Sequence, residues 1–285
     1  RFETLFDASR STGIAGAYAQ LGIEFGPVSG HVGLRHDDHR AFGGATSVGA
    51  DLSYELGSRL RLRASVGEGF KAPSLFQLHS DFGNAALRSE KSTGVDLGLA
   101  WGERGQWPYA AATLYRRDSE NLIGFVSCFG VTTGICAGRP FGTYGNIGRA
   151  RSQGVEVEAG AELAPGLTLL GAYSLADNEN RAVGSPDFGN PLPRRPRHAL
   201  SLAAEWDLGG PVLGTDLRWV SHSFDDPAAT VRMPGYATLD LTARWPLGER
   251  VELFGRVENL WDEQYQTAAG YGSAGRGAFV GVRFR

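Results

Sequence analysis

The sequence is short of most features that mark an enzyme or a helical membrane protein. No run of 18 apolar residues occurs, so no transmembrane helix is offered. H-E-x-x-H, G-x-S-x-G, P-loop and C-x-x-C motifs are all missing, which removes the usual signatures of metal, nucleophilic, phosphate and redox chemistry. There is a single methionine and there are only two cysteines. A net charge of -3 gives no reason to expect nucleic acid as a partner. The opening stretch RFETLFDASR has neither the charged n-region nor the apolar h-region of a signal peptide. An export signal removed earlier, or a natural protein that starts further upstream, is therefore expected.

What the sequence has in quantity is glycine, 41 residues of 285, and apolar–polar alternation. In GATSVGADLSYEL, Val48, Ala50, Leu52, Tyr54 and Leu56 share one face, and Ser47, Gly49, Asp51, Ser53 and Glu55 share the other. RLRLRASV and YATLDLTARW repeat the pattern. This period of two is the half-apolar strand signature, and a transmembrane β-strand scores as weakly polar on average for the same reason. Thirteen strands are predicted, near residues 13–25, 28–36, 44–56, 59–70, 91–101, 107–120, 143–163, 167–177, 195–207, 211–222, 235–245, 250–261 and 277–285. The 107–120 and 167–177 segments alternate poorly.

Connections alternate short and long. Tight links such as GP at Gly26, GS at Gly57 and GG at Gly209 are interleaved with long ones such as HDDHRAFGG and KAPSLFQLHSDFGNAALRSE. Short turns on one rim and long loops on the other predict an all-β, antiparallel transmembrane β-barrel with periplasmic turns and extracellular loops. Trp101, Trp107, Trp206 and Trp245 lie beside short turns, and Trp219 and Trp261 near long loops, where interfacial girdles belong. The competing reading has these rings filling an ordinary core. Charges on the polar faces, namely Arg61, Arg63, Asp240, Arg244, Glu252, Arg256 and Glu258, are expected to pair across neighbouring strands and solvate the interior. An odd strand count departs from the even number of such barrels, which points to a fragment.

Several local features are weighed against blander readings. Gly270, Gly272 and Gly275 match G-x-G-x-x-G, but a strand follows and the sequence stops, so no helix receives a pyrophosphate. This is a loop feeding the last strand, where Ala278, Val280, Val282 and Phe284 form the apolar face and Phe279, Gly281, Arg283 and Arg285 the other. Cys128 and Cys136 sit close together in a glycine-rich stretch, which suggests a small loop disulfide and an oxidising compartment; two free thiols are the alternative. The HDDH at 36–39 has metal-ligand residue types, but alternation sends them to opposite faces, so no metal site is expected.

Three blocks then resemble the TonB-dependent outer-membrane receptors. They are GEGFKAPSLFQLHSDFGNAALRSEKSTGVDLGLAW from Gly67, YGNIGRARSQGVEVEAGAEL from Tyr144, and VENLWDEQYQTAAGYGSAGRGAFVGVRF from Val257. The closing block most resembles the vitamin B12 (cobalamin) receptor branch. That resemblance implies a 22-stranded barrel with an N-terminal plug domain and a TonB-contacting box. Residues 1–285 would then be the C-terminal portion of the barrel, about thirteen strands, without the plug and first strands. It further implies capture of a scarce large ligand, cobalamin or an iron chelate such as a ferric siderophore or haem. Transport would be energised through TonB and would need no cofactor.

The family's last strand, here with Phe279, Gly281, Val282 and Phe284, is implied to meet the barrel-assembly machinery. One terminal aromatic residue beyond Arg285 is expected to be missing. For ligand capture the loop residues Phe82, Asn84, Tyr144, Asn146, Tyr265 and Tyr271 are the candidates, since large amphipathic ligands are held by ring faces and a few hydrogen bonds. Loop-against-loop packing is the competing role. A passive porin, or a hydrolase built on Ser221, His222 and Asp225, are the alternative functions.

Overall fold

The computed structural model describes residues 10–284, apart from the side chain of Ile147. Arg285, expected at the end of the last strand, lies outside the described residues. The first strands are β1 (Ile14–Phe25), β2 (Val28–His39), β3 (Gly43–Leu56) and β4 (Leu60–Lys71), followed by a short helix α1 (Leu75–His79). Next come β5 (Glu90–Trp101), β6 (Tyr109–Ser127), β7 (Gly142–Ala164), β8 (Leu167–Asn180), β9 (His198–Asp207) and β10 (Val212–Val220). Two small hairpins, β11 (Ser223–Phe224) with β12 (Arg232–Met233) and β15 (Gln266–Ala268) with β16 (Tyr271–Gly272), lie within loops. The remaining strands are β13 (Tyr236–Pro246), β14 (Val251–Glu258) and β17 (Gly277–Phe284).

Among the described residues thirteen strands form one antiparallel meander, in the order β1 to β10, then β13, β14 and β17. Each corresponds to a predicted segment. The first departure is HDDH, which continues β2 up to His39, so the link to β3 is three residues long rather than an extended loop. Another is the length of β6 and β7, 19 and 23 residues. Crossing a bilayer takes about 9–11 tilted residues, so this hairpin rises well beyond the apolar zone.

The apolar rows face outward. Leu97 pairs with Ala64 and with Leu114, Leu114 with Val155, and Val155 with Leu175. One row lower, Leu99, Ala112, Val157, Tyr173, Leu200 and Trp219 run side by side. Leu97 and Leu114 are 47% and 55% exposed, so they do not fill a protein core. The few buried apolar residues, such as Leu78, Leu87, Val220 and Met233, lie mostly at the long-loop end. Above the belt the outer face turns ionic: Val95 faces Arg116, and Asp118 joins Arg116 at 2.7 Å and Arg151 at 2.8 Å.

The opposite face is polar. Arg63, Gly98, Thr113, Glu156 and Ser174 form one continuous row. Arg63 on β4 and Arg218 on β10 line the same cavity of about 640 Å³, with Glu156 and Glu158 between them. Six strand spacings in a flat sheet would separate them by about 29 Å, so the sheet curls around an interior. Glu55–Arg61 and Glu252–Arg283 pair across adjacent strands at 2.9 and 2.6 Å. Arg244 reaches Glu205 at 2.9 Å past β10, where Gly214 presents no side chain. Asp240 instead accepts from the Asn259 N–H at 2.7 Å.

At the short-turn end Trp101, Trp206 and Trp245 are exposed on the apolar face. Trp107 departs from this girdle. It stacks on Tyr109 with ring centroids 5.6 Å apart, against Gly160, while Arg104 of the same turn pairs with Glu158. Leu170 lies beneath these rings, an inward apolar residue that explains the poor alternation of β8.

Candidate ligand-capture site at the long-loop end

Loop 72–89, between β4 and β5, is built locally and then clasped. Ser74 caps α1 by accepting from Gln77 N, and Gln77 Oε1 accepts from Ser74 N, a reciprocal capping box. The chain then folds back so closely that a Cβ at Gly83 would lie 2.7 Å from the Leu78 carbonyl oxygen. That approach requires glycine at this place. Asn84 N donates to Gln77 O at 2.9 Å and closes the turn.

The clasp is made with β7. Phe82 O accepts from Tyr144 N at 3.0 Å and from Thr143 Oγ1 at 3.1 Å, and Thr143 is fully buried. Asn84 Nδ2 donates to Tyr144 O at 2.9 Å. Asn146 Oδ1 accepts from Arg88 N at 2.8 Å, and Asn146 Nδ2 donates to Arg88 O and Asn121 O at 2.9 and 2.6 Å. Around these bonds Phe76, Phe82, Phe125 and Tyr144 make edge-to-face contacts, with centroids 5.6–6.1 Å apart. Four of the six candidate residues thus come together, with the amide groups of both asparagines directed at main chain.

Tyr265 and Tyr271 lie in the loop after β14. Tyr265 stacks on Tyr236 at 4.0 Å, nearly parallel, whereas Tyr271 is 77% exposed. The N-L-W-D block shapes this loop. Asn259 and Asp262 have left-handed backbones, with φ of 50° and 57°. Asn259 exchanges bonds with the Glu263 main chain at 2.9 and 3.0 Å, and Asp262 Oδ1 accepts from Arg276 N at 2.8 Å.

Cys128 and Cys136 are bonded, with Cα atoms 5.3 Å apart. Beside the disulfide, Phe129 and Phe141 are 76% and 62% exposed and meet edge to face at 6.1 Å. The ligand candidates drawn from the sequence omit this pair, although Phe129 lies inside the disulfide loop and Phe141 just beyond it. Among the described residues no group of three or more His, Cys, Asp or Glu could hold a metal ion, and within HDDH Asp37 is engaged by Arg35 at 2.7 Å. Ser221, His222 and Asp225 do not converge. Ser221 Oγ accepts from His198 N at 3.0 Å, and Asp225 Oδ1 accepts from Arg194 at 2.6 Å.

A meander with an apolar outside, a polar inside and loops on one rim has a counterpart among known families. Residues 3–260 match the family described as TonB dependent receptor-like, beta-barrel. The chain belongs to that family. Membership places it in the bacterial outer membrane, with the long loops extracellular and the turns periplasmic.

Solved structures agree in fold. A mutant of the ferric enterobactin receptor from Pseudomonas aeruginosa, in complex with enterobactin, gives a TM-score of 0.78 at 22% identity, over 94% of this chain and 45% of that one. The siderophore receptor PirA from Acinetobacter baumannii gives 0.78 at 17%, over 98% and 47%. PirA from Pseudomonas aeruginosa gives 0.72 at 20%, over 95% and 46%. Identities this low speak to fold alone, and the chain spans less than half the length of these proteins. The cobalamin branch expected from the closing block gains no support from them.

Proposed function

We propose that this chain is the C-terminal wall of an active-transport receptor that captures a ferric siderophore and is energised through TonB. The observation that carries the reading is the loop crown. Exposed rings of Tyr271, Phe129 and Phe141, and the half-exposed edge of the Phe76–Phe125 cluster beside Phe82 and Tyr144, stand above a curled, polar interior. Aromatic faces with a few polar groups suit a large amphipathic chelate. Within this reading Asn84 and Asn146 position the loops that carry the rings, and Tyr265, stacked on Tyr236, anchors the hairpin that carries Tyr271.

The remaining parts are part of the same proposal. Among the described residues no strand pairs with the outer edge of β1 or of β17, and an open edge is untenable in lipid. Further strands of the same protein are proposed to close the wall around a plug domain, which would carry the contact with TonB. Strand β17, with Phe279, Gly281, Val282 and Phe284, is proposed to meet the barrel-assembly machinery.

Equilibrium titration of the full-length receptor with a ferric catecholate siderophore and with cobalamin tests the cargo. Saturable binding of the iron chelate without cobalamin binding is expected; the reverse moves the protein to the cobalamin branch. TonB-independent passage of unrelated small solutes would make it a porin.

A further inference from the structure

Loops after β8, β10 and β14 meet at one carboxylate. Asp225 extends from the small β11–β12 hairpin. Its Oδ1 accepts from Arg194 Nε at 2.6 Å and from the Ala269 N–H at 3.1 Å, and its Oδ2 accepts from Arg194 Nη2 at 3.4 Å. Arg194 belongs to loop 181–197 and Ala269 to loop 259–276. The contact with the first loop is fastened twice more, by Arg194 N to Phe224 O at 2.6 Å and by Asn190 Nδ2 to Pro227 O at 3.1 Å.

Two features separate this from an ordinary surface ion pair, which contributes little. The Asp225 side chain is 19% exposed against 56% for Arg194, so the carboxylate is the covered partner, and one of its donors is main chain from a third loop. Arg194 also holds a left-handed backbone, φ 58°, a conformation that persists in a residue with a Cβ where its surroundings over-determine it. The turn that presents Asp225 is itself braced, because the Asp226 carboxylate accepts from Thr230 N at 3.0 Å and Val231 N at 2.7 Å.

We propose that Asp225 is a positioning residue that fastens three extracellular loops into one body, so that they move over the cargo together. Only the consequence for cargo rests on the capture reading. The fastening itself is a property of the loops.

The test is hydrogen exchange by mass spectrometry on the full-length receptor in detergent, without cargo, with folding checked by heat-modifiable gel mobility. Asp225→Ala is expected to accelerate exchange about tenfold in both loop 181–197 and loop 259–276, the scale of losing a hydrogen bond to a charged group. Acceleration in only one loop, or in neither, overturns the proposal. Should Asp225→Ala lose the folded mobility, Asp225→Asn is read by the same criterion. Siderophore titration is scored separately. Absent binding with coupled exchange intact refutes the capture reading and leaves the fastening standing.

Discussion

The carboxamide of Asn146 and the backbone of Arg88 form a closed pair, the side chain accepting at 2.8 Å and donating at 2.9 Å. Residues 58 positions apart are thereby locked, and a third bond to Asn121 O is added. Replacing Asn146 by alanine leaves an N–H and two carbonyls without this partner. The docking of loop 72–89 should weaken by about 1–3 kcal/mol. Limited proteolysis should then cut within 72–89 while the strands stay protected. Asn146→Asp, which keeps an acceptor and loses the donors, should fall between alanine and the parent.

A second prediction concerns the tip of the β6–β7 hairpin. The Cys128–Cys136 bond closes a small loop beside Phe129 and Phe141. Denatured, unreduced protein should show no free thiol. Cys128→Ser with Cys136→Ser should loosen the tip by about 2–3 kcal/mol on a chain-entropy estimate, seen as faster exchange confined to 128–141.

Orientation of the wall can be tested by charge. Leu97 points outward in the middle of the apolar belt, and Thr113 points inward opposite Glu156. Leu97→Arg should cost about 2–4 kcal/mol of stability in lipid, whereas Thr113→Arg should change it little. Denaturant titration of the full-length receptor in vesicles measures both. Equal costs would contradict the assignment of faces.

Acid should loosen the extracellular loops selectively. The Arg194 guanidinium, then the Ala269 amide, hold the Asp225 carboxyl below its ordinary value of 3.8, against partial burial and the neighbouring Asp226. The Val231 amide, followed by Thr230, lowers Asp226 as well. A depressed carboxylate stabilises fully above its ordinary pKa, and that contribution is lost as pH falls through the depressed value. Protease protection of loop 181–197 should stay level from about pH 7 to 5 and fall below about pH 4. Tyr271 lies near Arg194. Asp225→Asn should abolish the step that Asp225 contributes.

The last strand offers a steric test. A Cβ at Gly281 would collide with the Phe254 ring, over which Arg283 sits 5.6 Å from the centroid. Gly281→Val should displace that ring and lower folded yield in the outer membrane. Gly272→Val, at an exposed place with no heavy atom near its Cβ position, should not.

Much of the wall was legible because a membrane strand writes its facing into every second residue. Leu52, Ala64, Leu97 and Leu114 are apolar for one reason, contact with lipid, and their neighbours are polar for another. Pairing of Glu55 with Arg61 followed from adjacency, but Arg244 with Glu205 did not, because it depends on a bare glycine in the intervening strand. Trp107 was misplaced since a tryptophan beside a turn can bend outward to headgroups or inward onto Tyr109, and the one-dimensional pattern is the same. The limits of β2 were also hidden, as charged HDDH looks like loop until Asp37 is seen paired along its own strand. At the loops, sequence offers residue types and not the partners they take. Asn84 and Asn146 read as ligand amides, yet their bonds to distant main chain arise only from tertiary docking.

Because Asn84, Asn146 and Asn259 all grip peptide groups instead of side chains, the frame of the crown is indifferent to which residues occupy the intervening tips. Such a rim can be rewritten by mutation one tip at a time while the architecture beneath stays the same.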